Sequence, residues 1–113
     1  MIDERLLTQY AELMGTAGVA DMLTTFDDNV GGYVDHIQWL VKQRDEAGMR
    51  SQAHKLKGAC RSVGLTELAR SMERLERDSW DWQTLEQLLA QWVHQLPMHQ
   101  QQLKRWLNAR RVQ

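Results

Sequence analysis

Met49, Ala53, Leu56, Cys60 and Val63 recur at steps of four, three, four and three. That spacing lines apolar side chains along one stripe of an α-helix and along neither face of a strand. At about 100° per residue, His54, Lys57, Gly58 and Arg61, with Arg50 one turn earlier, fall together roughly 120–140° from the stripe. His54 is therefore expected on the surface, among cations. Gly58 stands one turn ahead of it, and a glycine inside a helix costs about 1 kcal/mol relative to alanine. The simplest reason for that cost is a large partner whose backbone must come close to His54.

The rest of the chain fits one helical domain spanning residues 1–113. Proline occurs once and no stretch alternates in the strand period, so the class is all-α. A chain of 113 residues can build one core and little more. The net charge of −1 and pI near 6.4 give no overall pull toward nucleic acid or a membrane surface. Cys60 is the sole cysteine, so there is no disulfide framework and a reducing compartment fits. No apolar run reaches the ~18–20 residues of a membrane span, and Met1 opens no signal peptide. The cytoplasm is the expected compartment.

In chain order, Asp3 is expected to cap a first helix with Leu6, Leu7, Tyr10, Leu13 and Met14 on one side. Gly15 ends it and Thr16-Ala17-Gly18 makes the turn. A long second helix carries Val19, Met22, Leu23, Phe26, Val30, Tyr33, Ile37, Leu40 and Val41 at threes and fours. Gly31-Gly32 inside it implies either a close neighbour or a bend. Asp45 caps the helix of His54, which stops near Gly64 in a left-handed conformation. The next helix starts around Thr66, its inner stripe Leu65, Leu68, Ala69, Met72 and Leu75, its outer face Glu67, Arg70, Glu73, Arg74 and Arg77. After a turn at residues 79–81, the last helix runs from Trp82 to about Ala109. Leu85, Leu88, Leu89, Trp92, Leu96, Leu103, Trp106 and Leu107 face in, and Pro97 is expected to kink it near Val93 or to leave a hydrogen bond open. The fold class is an antiparallel four-helix bundle with an additional N-terminal helix across one end.

Glu76 breaks the pattern. It follows Met72 by four residues, which puts a carboxylate on an apolar stripe, an expensive place unless something hydrogen-bonds it. The imidazole of His54 is a candidate partner if the short turn at Gly64 makes the two helices neighbours. A carboxylate accepting from one ring nitrogen fixes the tautomer and leaves the other nitrogen's lone pair free, which describes an activated nucleophile. The alternative is that Glu76 bends out to solvent or pairs with Arg61.

Ala-His-Lys-Leu-Lys-Gly, followed by Gly64, Leu68 and Leu75-Glu76, resembles the signature of histidine phosphotransfer (HPt) domains, over nearly the whole chain in length and helix pattern. The resemblance implies an HPt-like bundle that accepts a phosphoryl group from a receiver-domain aspartate onto His54 and passes it to the receiver aspartate of a response regulator. It implies a glutamine or acidic group at Glu76 bonded to Nδ1, phosphoryl transfer at Nε2, and Lys57 as the cation beside the group. Lys55, Arg50 and Arg61 would then be a second ring that holds an acidic partner, with Gly58 giving it room; the alternative for each of the three cations is a solvated charge face. The partners it implies are receiver domains of a hybrid sensor kinase and of a response regulator. Magnesium is expected on the partner receiver and no cofactor on this chain. A monomer is the expected state, standing alone or closing a membrane-bound sensor kinase on its cytoplasmic side.

Other chemistries find less support. No Gly-rich phosphate loop is present, so the phosphoryl group must arrive from another domain, as in a phosphocarrier and not a freestanding enzyme. His36, His94 and His99 are expected at the surface or its boundary, without the i, i+4 pairing of a metal site. A Cys60–His54 dyad fails because six residues on a helix turn through about 240°. Trp39, Trp80 and Trp82 read as core or rim packing, and Asp27-Asp28-Asn29 as helix, not calcium loop. One rival is a docking module that binds a receiver or kinase domain without transfer; phosphorylation of His54 discriminates. Another is a nucleic-acid binder using Lys104, Arg105, Arg110 and Arg111, which the short basic tail and net charge disfavour.

Overall fold

Three aspartates start three helices. The side chain of Asp3 accepts from the N–H of Leu6 at 3.1 Å, Asp45 from Gly48 at 2.9 Å and Asp81 from Thr84 at 2.7 Å. Each satisfies a first-turn donor that the helix itself cannot. The computed structural model describes residues 2–111, and among these are four helices and no strand. They are α1 (Glu4–Lys42), α2 (Glu46–Ser62), α3 (Thr66–Arg77) and α4 (Trp82–Arg111).

Two of the three turns use the same device. The N–H of Leu65 reaches the carbonyl of Cys60 at 2.9 Å and that of Gly64 reaches Arg61 at 3.2 Å, with Gly64 at φ 80°. At the end of α1, Asp45 reaches Leu40 and Arg44 reaches Val41, both at 3.0 Å, with Arg44 at φ 55°. Both are Schellman closures, in which one left-handed residue lets the chain double back. Arg44 holds this conformation without being glycine. Its guanidinium is anchored on the carbonyl of Val41 at 2.9 Å, on Glu86 at 2.6 Å and over the ring of Trp82 at 5.1 Å.

These turns set the helices antiparallel in a four-membered ring. Its core holds Val30, Ile37, Met49, Leu56, Leu68, Met72, Leu85 and Trp92. The shape is long, 48 × 21 × 20 Å, because α4 with 30 residues extends about 45 Å. Trp92 ties α4 to α3 by donating its indole N–H to the carbonyl of Leu68 at 3.0 Å.

Several expectations are corrected. The N-terminal helix does not end in a turn over residues 16–18. A single non-helical residue, Gly15 (φ 73°, ψ 170°), kinks α1, and helix resumes at once. The arm before it lies across the end of the bundle, with Leu7 fully buried, the N–H of Asp3 on the carbonyl of Gly64 at 2.7 Å and Thr8 Oγ1 accepting from Arg110 at 2.9 Å. Leu13 (84% exposed) and Met14 point away from the core. Along the rest of α1, Val34 is buried and Tyr33 is not. Gly31-Gly32 neither bends the helix nor meets a neighbour: both are helical, exposed and open on their Cβ side. In α4, Leu88 is exposed: it lines an open groove with Ser71, Arg74 and Leu75 of α3, where the two helices pack only thinly. The helix runs on through Pro97, which has no N–H to give the carbonyl of Val93. His99 is not a surface residue: it is 2% exposed, its Nδ1 has no partner, and burial pulls its pKa down.

Candidate functional site

His54 lies ten residues before Gly64 and Glu76 twelve after it. In an antiparallel helical hairpin, residues about equally far from the turn stand at the same height, here about 15–18 Å along each axis. The apolar stripe of α2, with Met49, Ala53, Leu56 and Cys60 all fully buried, fixes its rotation and turns His54 outward. Leu68, Met72 and Leu75 do the same for α3 and leave Glu76 on the edge facing α2.

The contact follows. Nδ1 of His54 stands 2.6 Å from Oε1 of Glu76 and 3.3 Å from Oε2. Nζ of Lys57 donates to Oε2 at 2.8 Å and to Oε1 at 3.1 Å. Arg77 adds a longer approach, 3.8 Å to Oε2. The hydrogen bonds from Lys57 first, and then that from His54, hold the pKa of Glu76 below the usual carboxylate value. An ionised carboxylate only accepts, so Nδ1 is the N–H donor and, in the neutral ring, Nε2 carries the lone pair. The imidazole is 67% exposed, and among the described residues Nε2 has no hydrogen-bond partner. The arrangement can present one nucleophilic nitrogen to a large partner and stabilise the positive charge a ring gains when that nitrogen forms a bond.

Two expectations about the cations change. Lys57 is not a free surface cation: its side chain is 5% exposed, because its stem lies between α2 and α3 and its ammonium meets Glu76. Arg50 is not free to meet a partner. Its side chain is 25% exposed, and Nη1 donates to the carbonyls of Glu76 at 2.8 Å and Leu75 at 3.3 Å. Lys55, Gly58 and Arg61 do lie open around His54, and a Cβ on Gly58 would meet nothing within 4 Å. Glu76 does not turn out to solvent or pair with Arg61.

Sequence reasoning missed two residues. Trp80 donates its indole N–H to the carbonyl of Leu75 at 3.0 Å. Gln52 is buried and donates to the carbonyl of Tyr33 at 3.2 Å, tying α1 to α2. A signal existed for the first: a tryptophan three residues past a helix end, where carbonyls lack donors.

In the basic tail, Lys104 approaches Asp27 at 3.9 Å and Arg110 lies 4.6 Å over the ring of Trp106. Among the described residues no group of three or more His, Cys, Asp or Glu could hold a metal ion, and no helix is long and apolar enough to cross a membrane.

A family model described as "Hpt domain" matches residues 21–109. The aerobic respiration control sensor protein ArcB of Escherichia coli O157:H7 is 28% identical over 113 residues, 95% of this chain, and ArcB of Shigella flexneri matches to the same extent. The chain spans only 14% of the length of these relatives. The solved histidine-containing phosphotransfer domain of ArcB from Escherichia coli superposes with a TM-score of 0.79 at 29% identity, covering 96% of this chain and 94% of that one. A solution structure of the same domain gives 0.75 at 27% identity, covering 96% and 88%.

Proposed function

Because this chain belongs to the Hpt domain family, a family of phosphorelay intermediates that carry a phosphoryl group, we propose that His54 is the residue that carries it here. Nε2 attacks the phosphorus of an aspartyl phosphate on a receiver domain. The N–P bond forms as the P–O bond to the aspartate breaks, and the carboxylate leaves with its electron pair. The imidazole becomes positive as it bonds phosphorus, and Glu76 stabilises that charge through the proton on Nδ1. In the second transfer a carboxylate oxygen of another receiver attacks the phosphorus and the imidazole leaves neutral. Magnesium for both steps belongs to the receivers. Lys55 and Arg61 draw the acidic receiver pocket toward His54, and Gly58 lets it approach. The chain acts as a monomer and serves a hybrid sensor kinase at one step and a response regulator at the other.

The observation that carries this reading is the 2.6 Å contact from Nδ1 to an ionised Glu76, with Nε2 open on an exposed ring. The test is transfer from a phosphorylated receiver in magnesium, beside a His54→Gln variant. Acid-labile, base-stable label on the wild type alone is the expected result. A folded wild type that no receiver labels would instead make the chain a docking module.

A further inference from the structure

Glu76 is the last residue but one of α3, a turn where an α-helix leaves its carbonyls without donors and tends to fray. A carboxylate held at 2.6 Å from an imidazole cannot ride on a loose turn. Both carbonyls there are tied from outside the helix. That of Glu76 accepts from Arg50 at 2.8 Å, and that of Leu75 accepts from Trp80 Nε1 at 3.0 Å and Arg50 at 3.3 Å. The two donors also hold each other, with the guanidinium 4.6 Å over the Trp80 ring. Trp80 in turn meets Trp82 edge-on at 4.9 Å, and Arg44 covers Trp82 at 5.1 Å. The ladder thus runs from the end of α3 across to the end of α1.

Arg50 sits on α2, one turn before His54. The helix that presents the nucleophile therefore also grips the backbone of the residue that orients it. We propose that Arg50, braced by Trp80, is a positioning residue for phosphotransfer: it fixes the height of Glu76 and so the Nδ1–H tautomer of His54. Its cation has a second effect, since it sits at the negative end of the α3 dipole.

This rests on His54 being the phosphoacceptor, so the experiment has two arms. The first reads the His54 tautomer by ¹⁵N NMR of the unphosphorylated protein; the second measures transfer from a phosphorylated receiver up to saturation. Arg50→Gln is expected to mix the tautomers and to slow transfer at saturation roughly 10-fold, with receiver affinity held within about twofold. Arg50→Lys, which keeps the charge but loses the planar fork, should fall between. Unchanged tautomer and rate overturn the proposal, as does a rate loss that saturating receiver abolishes, which would make Arg50 a docking residue. If Arg50→Gln does not fold, Trp80→Phe decides. It keeps the ring under the guanidinium and deletes one donor, and it must shift both readouts in the same direction or the proposal falls. If no receiver labels even the wild type, the phosphoacceptor reading fails while the NMR arm still judges the positioning of Glu76.

Discussion

Lys57 and Glu76 form an enclosed ion pair: the ammonium lies 2.8 and 3.1 Å from the two carboxylate oxygens, with the lysine side chain 5% exposed and the glutamate 14%. The same carboxylate holds His54. One acidic group thus satisfies a buried cation and orients an exposed nucleophile, and changes on either side separate stability from transfer.

Removing one member strands the other. Lys57→Met should destabilise the fold by about 2 kcal/mol, below the 3–5 typical of a fully buried pair because Glu76 touches solvent. Lys57→Met with Glu76→Leu should recover most of that loss, since an apolar pair fits the same space. Transfer should stay impaired in both. Urea melts and labelling with a phosphorylated receiver would show it.

Acid should act in two stages. For His99, burial lowers the folded pKa, so the unfolded chain binds the extra proton first. Its contribution is complete above about pH 6.5 and declines as pH falls below that. Glu76, lowered chiefly by Lys57, contributes fully above about pH 4.5 and loses that contribution as pH drops further. Melting temperatures from pH 8 to 3 should show both limbs. His99→Leu should remove the first and leave the second.

Glycines should respond by location. Gly58→Ala should stabilise α2 by about 0.5–1 kcal/mol, since nothing lies within 4 Å of the new Cβ, and should slow transfer by crowding the partner. Gly31→Ala has the same open space and should stabilise equally without touching transfer. Gly64→Ala should destabilise by about 1–2 kcal/mol, because φ is 80° and the Cβ would stand 3.3 Å from the carbonyl oxygen of Asp3. Should Gly58→Ala transfer at the wild-type rate, the partner does not approach over that helix face.

Cys60 is fully buried, and burial pushes its thiol pKa up to about 12. Thiol reagents should leave the native protein unmodified and react at once in denaturant. Labelling under native conditions should track unfolding.

Much was legible in the sequence because helical order is local. The stripe from Met49 to Val63 needed only a period of 3.6, and all five of its residues are buried. The caps at Asp3 and Asp45 and the left-handed Gly64 depend on backbone donors a few residues away. Glu76 stood out because a carboxylate on an apolar stripe needs a partner. Periodicity gives a side chain's angle around its own helix and says nothing of whether another helix stands at that height. Leu13 and Leu88 therefore matched the stripe yet face solvent. His99, by contrast, three residues past Leu96 and four before Leu103, lies on the stripe of α4 and is buried as that spacing dictates; the expectation of a surface histidine followed its polar residue type instead.

The roles of Lys57 and Arg50 were decided by tertiary structure alone. On the helical wheel both are surface cations beside His54. In the fold their long side chains cross to α3, where one meets a carboxylate 19 residues away and the other a carbonyl 26 residues away. Which of these contacts forms depends on how closely α2 and α3 approach and on their relative register. The Gly64 turn and the packing of both stripes fix that register, and no local pattern encodes it.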